Sequence, residues 1–267
     1  TPTPPPPMLR SLVGSEMCIR DRDDLEEFVG YDHLTSNVKI TRYRKTSSLK
    51  EGDMFQLVFN LTPFYPEGGG QVGDKGYLES TNGDLYYIID TKKENNLTIH
   101  YCNTLPNKID VTFKAVVDKK QRIRASSNHT ATHLLHQALR EILGNHVEQK
   151  GSMVNSRALR FDFSHEGGVS REQLAQIEDQ VCEQIRGNSS VDTQLMPFEE
   201  AVASGAMALF GEKYADEVRV LTMGSGYSVE LCGGPHVQQP PQLRIAGLGI
   251  CKRQYVSRPA GKPLFEG

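Results

Sequence analysis

The stretch NHTATHLLHQ, Asn128–Gln137, carries three of the chain's eight histidines: His129, His133 and His136. Helical residues four apart lie one turn apart on one face. His129 and His133 can therefore meet a common partner, with His136 three residues further on. Leu134, Leu135, Ala138, Ile142 and Leu143 fall on one side and Gly144 can stop the helix. The pattern predicts a helix from about Ser127 to Leu143.

A histidine pair on a helix is ordinary by itself, and most such residues are surface or half-buried. The pair gains weight from ELCGGPH, residues 230–236, where Cys232 and His236 form a CxxxH at the end of a predicted strand. Gly233 and Gly234 permit a sharp turn that aims both side chains at one point. Three imidazoles and one thiolate make a four-ligand set of the kind zinc prefers over redox-active iron. The alternative for Cys232 is an inert core thiol.

The fold class around this set is α+β. RALRFDFSH, EVRVLTM and YSVEL read as strands, Ser170–Gln173 as a capping box opening a helix to about Arg186, and PFEEAVASGA as a short helix. A sheet with helices on one face is expected over 123–237. Before it, residues 23–122 are mostly strand: NVKITRYRK, DMFQLVFNL, GDLYYIIDTKK, NLTIHYC and DVTFKAVVD, with turns at Asn82-Gly83 and Glu51-Gly52. That spacing predicts a small β-barrel or sandwich. Residues 1–22, with TPTPPPP and SLVGSEMCIRDR, read as a non-native or disordered tail. The 267 residues suffice for two such domains.

Bulk properties narrow the function classes. A net charge of −3 names no polyanionic partner, so a nucleic-acid surface must be a local basic patch. Lys119, Lys120, Arg122 and Arg124, and Arg42, Arg44 and Lys45, are candidates for phosphate contact; the plain alternative is a solvated face. No apolar run is long enough to span a membrane. Five irregularly spaced cysteines argue for a reducing, cytoplasmic setting rather than a disulfide framework. TPFYPEGGGQVGDKG, residues 62–76, lacks the phosphate-loop pattern, and spacing alone favours a bent strand or bulge within the barrel. No HxE with PCxxC marks a zinc deaminase.

Taken together, TPFYPEGGGQVGDKG, NHTATHLLHQALREILGNHVEQKGSMVN, LRFDFSH, GAMALFGEKY and VELCGGPH resemble the editing region of the alanyl-tRNA synthetase family, from about Asp23 to His236. Free-standing trans-editing proteins share the site. The resemblance implies one zinc ion on His129, His133, Cys232 and His236. It implies that Thr132 and Gln149 line the pocket in catalytic roles, and that the substrate-binding loop Gly68, Gly69, Gly70 and Gln71 leans over it from the barrel domain. His136 is no ligand in the family and reads as packing or surface. The implied activity is hydrolysis of tRNA-Ala mischarged with serine or glycine. ATP would serve only the parent ligase, since no stretch here resembles the class II aminoacylation core. The chemistry stays open between a zinc that orients substrate and water and one that activates water after a ligand gives way. Two other readings are an inactive zinc-stabilised tRNA-binding module and a free-standing trans-editing protein.

The chain departs from the family at Pro235, where threonine is usual. Proline removes an N–H and pushes Gly234 toward extended geometry, which threatens the placement of Cys232 or His236. Residues 238–267 do not follow the family pattern and read as a divergent, frame-shifted tail.

Overall fold

The computed structural model describes residues 17–19, 26–48, 52–188, 190–208 and 215–237. The Pro-rich start, part of the GAMALFGEKY block and the 238–267 tail lie outside them. The chain divides into two compact units, Thr1–Pro66 with Gly73–Asp118, and Glu67–Val72 with Lys119–Gly267.

In chain order the first unit holds β1 (Met17–Ile19), β2 (Glu27–Phe28), β3 (Thr35–Ser48), β4 (Gly52–Phe59), β5 (Leu61–Thr62), β6 (Gly76–Glu79), β7 (Leu85–Glu94), β8 (Leu97–Cys102) and β9 (Thr112–Val117). Neighbours run β3-β4-β8-β7-β6-β9, and β9 pairs back onto β3, closing a six-strand antiparallel barrel. Period-two alternation fills it. Phe113, Ala115 and Val117 of β9 and Tyr86 and Ile88 of β7 are buried, while Lys114, Leu85 and Tyr87 face out. They pack with Val38, Leu57, Phe59, Phe64 and Leu78. Asn95 and Asn96, at φ 49° and 66°, form the tight turn between β7 and β8. The short β1 lies within the stretch set aside as a tail. β9 pairs with β3 only from Thr35 to Lys39, so the edge beyond is free for main-chain bonding, and Met17–Ile19 pair there with Arg42–Arg44.

The second unit holds α1 (Lys119–Leu143), β10 (Gln149–Val154), β11 (Leu159–Phe163), α2 (Arg171–Gly187), β12 (Val191–Pro197), α3 (Phe198–Ala203), β13 (Glu217–Met223) and β14 (Ser228–Leu231). The helix α1 starts eight residues earlier than its apolar pattern suggested. Lys, Gln, Arg and Ala are good helix formers, and Arg122, Ala125 and Ser126 are buried at helical spacing. The unit division accordingly falls at Asp118/Lys119 rather than 122/123. Leu134, Ala138 and Leu139 of α1 pack with Ile177 and Val181 of α2, and with Phe161, Leu221 and Met223. The capping box opens α2: Ser170 Oγ accepts from Gln173 N, and the Gln173 side chain accepts from Ser170 N.

The expectation of helices on one face needs correction. On the antiparallel sheet β12-β13-β14, Val218, Val220 and Leu231 pack with Ala201 of α3, whereas Leu221 and Met223 pack with α1 and α2. Alternation along β13 sends successive side chains to opposite faces, and both are covered. The β10-β11 pair forms a separate small sheet. No described helix is long and apolar enough to cross a membrane.

Candidate metal centre

Two periodicities build the site. On α1, His129, His133 and His136 at i, i+4 and i+7 share one face. Along β14 and into the turn, Ser228, Glu230 and Cys232 alternate onto the side opposite Leu231. The stripe and the strand meet: His133 Nδ1 lies 2.8 Å from Glu230 Oε2, and His136 Nδ1 lies 3.3 Å from Glu230 Oε1. Ser228 Oγ donates to the same Oε1 at 3.1 Å. Glu230 is 1% exposed, so this carboxylate is deep in the unit.

The ligand atoms of His129, His133, Cys232 and His236 all lie within 4.8 Å of one another. Cys232 Sγ is 3.5 Å from His129 Nε2 and 3.2 Å from His236 Nε2. Tetrahedral metal bonds of about 2.0–2.3 Å set ligand atoms roughly 3.3–3.6 Å apart; the two distances from Cys232 Sγ lie close to that range, and the spread of up to 4.8 Å across the group would have to contract around an ion. The outer nitrogens are held in turn. His129 Nδ1 is 2.9 Å from Gln71 Oε1, His133 Nδ1 meets Glu230, and His236 Nδ1 is 3.3 Å from Thr130 Oγ1. The Thr130 hydroxyl donates to Ser126 O, so toward His236 it accepts. Each imidazole thus has an acceptor behind Nδ1, which leaves its Nε2 lone pair for the centre. His133 Nε2 is buried without a hydrogen-bond partner, a costly arrangement that a metal ion relieves.

Charge agrees with geometry. Burial pushes the Cys232 thiol up, but the surrounding His236, His129 and His133 outweigh it and hold it well below the ordinary thiol range. Burial likewise opposes ionisation of Glu230, and His133 and His136 overcome it, keeping the carboxylate charged. His133 is depressed by burial yet raised more strongly by Glu230 and Cys232, to about 10. Burial lowers His236 to about 4, against the pull of the Cys232 thiolate. The metal-free centre therefore holds a thiolate and at least one neutral imidazole at neutral pH, and a soft divalent cation would have to displace the proton that His133 carries.

The residues 11–121 match the family model described as tRNA synthetases class II (A). The alanine–tRNA ligase of Christiangramia forsetii is 57% identical over 252 residues, covering 91% of this chain and 29% of the relative. That of Flavobacterium psychrophilum is 50% identical over 248 residues, covering 88% and 28%. That of Porphyromonas gingivalis is 51% identical over 217 residues, covering 81% and 24%. The chain belongs to the alanine–tRNA ligase family. It spans less than a third of the length of these relatives. The class II match was not legible in the sequence as an aminoacylation core; the matched stretch contains the antiparallel barrel.

In this member of the alanine–tRNA ligase family, the other expected site residues fall as follows. The loop Gly68–Gln71 groups with the unit that carries His129, His133, Cys232 and His236, not with the barrel as a bulge. Gly68 and Gln71 exchange main-chain hydrogen bonds, Val154 N donates to Gly70 O, and Val72 N donates to Val154 O. A Cβ on Gly70, at φ +78°, would lie 2.0 Å from Ser152 Oγ, so only glycine permits this approach to β10. Gln149 Nε2 donates to the same Ser152 Oγ at 3.3 Å. Thr132, 4% exposed, sits between His129 and His133 along the helix and donates its hydroxyl to Asn128 O at 2.8 Å.

Pro235 does not displace the turn. Cys232 and His236 converge, because the turn uses the N–H of Gly234, which donates to Cys232 Sγ at 3.4 Å. Gly234 also lies so close to His129 that a Cβ there would meet the ring at 2.3 Å. His136 is neither surface nor plain packing: it is 1% exposed, beside Glu230 and 5.2 Å from the Phe161 ring. Glu230, Thr130 and Gln71's bond to His129 were missed as outer partners. The period-two reading of SVELC was the signal for Glu230. Among the basic residues, Arg44 pairs with Glu94 and Lys45 with Asp53, Arg122 is buried, and Lys119, Lys120 and Arg124 are exposed. For Arg44 and Lys45 these pairings favour the solvated-face reading.

Proposed function

We propose that this part of an alanine–tRNA ligase is a zinc-centred editing site, which hydrolyses the ester of tRNA-Ala mischarged with serine or glycine. The observation that carries the reading is the group of four ligand atoms within 4.8 Å of one another, with an acceptor behind each imidazole. Zinc suits one thiolate and three imidazoles, and when bound it supplies a Lewis acid that polarises an ester carbonyl or a water. The parent ligase would join alanine to tRNA-Ala with ATP. A synthetic pocket for alanine rejects glycine poorly, since one methyl is worth about 1–3 kcal/mol, and serine adds just a hydroxyl. A second site that binds the serine hydroxyl can favour serine over alanine, whereas glycine, which lacks that group, must be told from alanine by its smaller size. Thr132 suits that demand: its proton is committed to Asn128 O, so its oxygen is left to accept from a serine hydroxyl. Gln149 on β10 is the candidate to hold water or the ester. The relatives are ligases, which favours this reading over a free-standing trans-editing protein.

The test is deacylation by the whole chain of Ser-tRNA-Ala, Gly-tRNA-Ala and Ala-tRNA-Ala, with and without zinc. Fast loss of serine and glycine with alanine spared is expected. A second reading is favoured by the count of four protein ligands, which ordinarily marks a closed structural site. On it, the unit binds tRNA and zinc only holds the fold. Zinc-dependent stability and tRNA binding without deacylation would replace the first reading by the second.

A further inference from the structure

The ligand His129 is held by a residue that comes from outside the helix and strand carrying the other three ligands. Gln71 is 0% exposed, and its side-chain oxygen lies 2.9 Å from His129 Nδ1. Its backbone is fixed on both sides. Gln71 N and O bond to Gly68, and the neighbouring Gly70 O and Val72 N are stitched to Val154. The glycines exist here for closeness: Gly70 has no room for a side chain against Ser152, and Gly69, at φ +56°, has its Cβ direction 4.0 Å from His129 Cε1. On the other side Gly234 presses on the same ring. The imidazole of His129 is thereby caught between two glycine-lined turns, with Gln71 at its outer nitrogen.

We propose that Gln71 is a positioning residue of the metal centre, whose amide oxygen accepts the Nδ1 proton of His129 and so fixes the tautomer that presents Nε2 toward Cys232. The inference rests on reading the four residues as a zinc site. The amide orientation follows from the chemistry. A ligating Nε2 carries no proton, so Nδ1 carries it and needs an acceptor, which the amide supplies through oxygen. Gln71 Nε2 is then left buried without a hydrogen-bond partner. A group kept at that cost points to the oxygen as the atom the site uses. On this account the glycine-rich loop acts on the metal through its fourth residue, whatever its glycines do for substrate.

The experiment uses the whole chain and zinc itself. Zinc affinity is read by competition with a chromophoric chelator, and cobalt(II) replaces zinc for visible d–d spectra. Gln71→Leu removes the acceptor and is expected to weaken zinc ten- to a hundredfold, the usual loss for an outer partner, and to shift the cobalt bands. Gln71→Glu keeps an acceptor, removes the orphaned NH2 and is expected to stay within a few fold of the parent. Equal affinity of the parent and Gln71→Leu overturns the proposal, as does a loss in Gln71→Glu as large as in Gln71→Leu. Should Gln71→Leu not fold, nitrogen-15 spectra of the zinc-loaded parent decide. A slowly exchanging proton on His129 Nδ1 supports the role; metallation through Nδ1, or a rapidly exchanging proton there, refutes it. Deacylation enters neither readout. A chain that holds zinc in this way but spares Ser-tRNA-Ala would sink the editing reading alone.

Discussion

Replacing Glu230 by Gln tests the centre through its charge. The carboxylate lies 2.8 Å from His133 Nδ1 and is 1% exposed. The substituted amide keeps an oxygen for His133 Nδ1–H, and Ser228 can rotate to accept from the new NH2, so the hydrogen bonds can largely be remade. What disappears is a buried negative charge. A divalent ion held here would be balanced by the Cys232 thiolate and the Glu230 carboxylate; the variant would leave it one positive charge out of balance, in surroundings that solvate charge poorly. A lost outer partner typically costs ten- to a hundredfold in metal affinity, or about 1.4–2.7 kcal/mol. The metal-free chain suffers too, because His133, raised to about 10 by Glu230 and Cys232, loses its counter-charge. Chelator competition measures the first effect and thermal unfolding of the metal-free chain the second. Ser228→Ala, which removes one bond to the far oxygen, should cost no more than about 1 kcal/mol. A folded Glu230→Gln chain with the parent's zinc affinity would refute the reasoning, since no buried carboxylate that matters to the ion can be neutralised without consequence.

Gly234→Ala should weaken zinc at least tenfold, because the new Cβ lands 2.3 Å from His129 Cε1, whereas Gly233→Ala, with nothing within 4 Å of its Cβ, should leave affinity near the parent's; equal behaviour in chelator competition would discount the close approach. Thr132→Val should erode the preference for Ser-tRNA-Ala over Ala-tRNA-Ala while zinc stays bound, and unchanged discrimination would remove Thr132 from specificity. In the barrel, burial holds His100 near 3. The unfolded chain binds the proton near 6.5 and the folded one does not, so stability is lost as pH falls below about 6.5. The loss is about 2 kcal/mol between pH 7 and 5, and it should flatten in His100→Gln. Hydrogen exchange along β8 at the two pH values reads it, and an equal pH slope in parent and variant would contradict the burial argument.

Much of this was legible beforehand, for identifiable reasons. Turn chemistry and alternation marked the strands of the barrel, and the Ser170–Gln173 box marked the start of α2. The strand β10 escaped because QKGSMV is polar, and only Val154 in it is fully buried; its pairing with β11 carries it. The strand β12 escaped because most of VDTQLMP is exposed. Spacing singled out the four candidate ligands because each half sits on one local element, a helix face and a tight turn. It was blind to Gln71, which reaches His129 across 58 residues. Nothing local marks such a contact. Glu230 lay in plain view but was read as part of a strand, since the partner that gives it meaning is 97 residues away.

The tie between Cys232 and His129 spans 103 residues. A link that closes a loop of that size removes about 4–5 kcal/mol of freedom from the unfolded chain, as a disulfide would. The cation would then serve as a reversible crosslink that needs no sulfur–sulfur bond. Its withdrawal would loosen α1, β13 and β14 together rather than fray one end, and the unit's lifetime against proteases would follow the supply of metal.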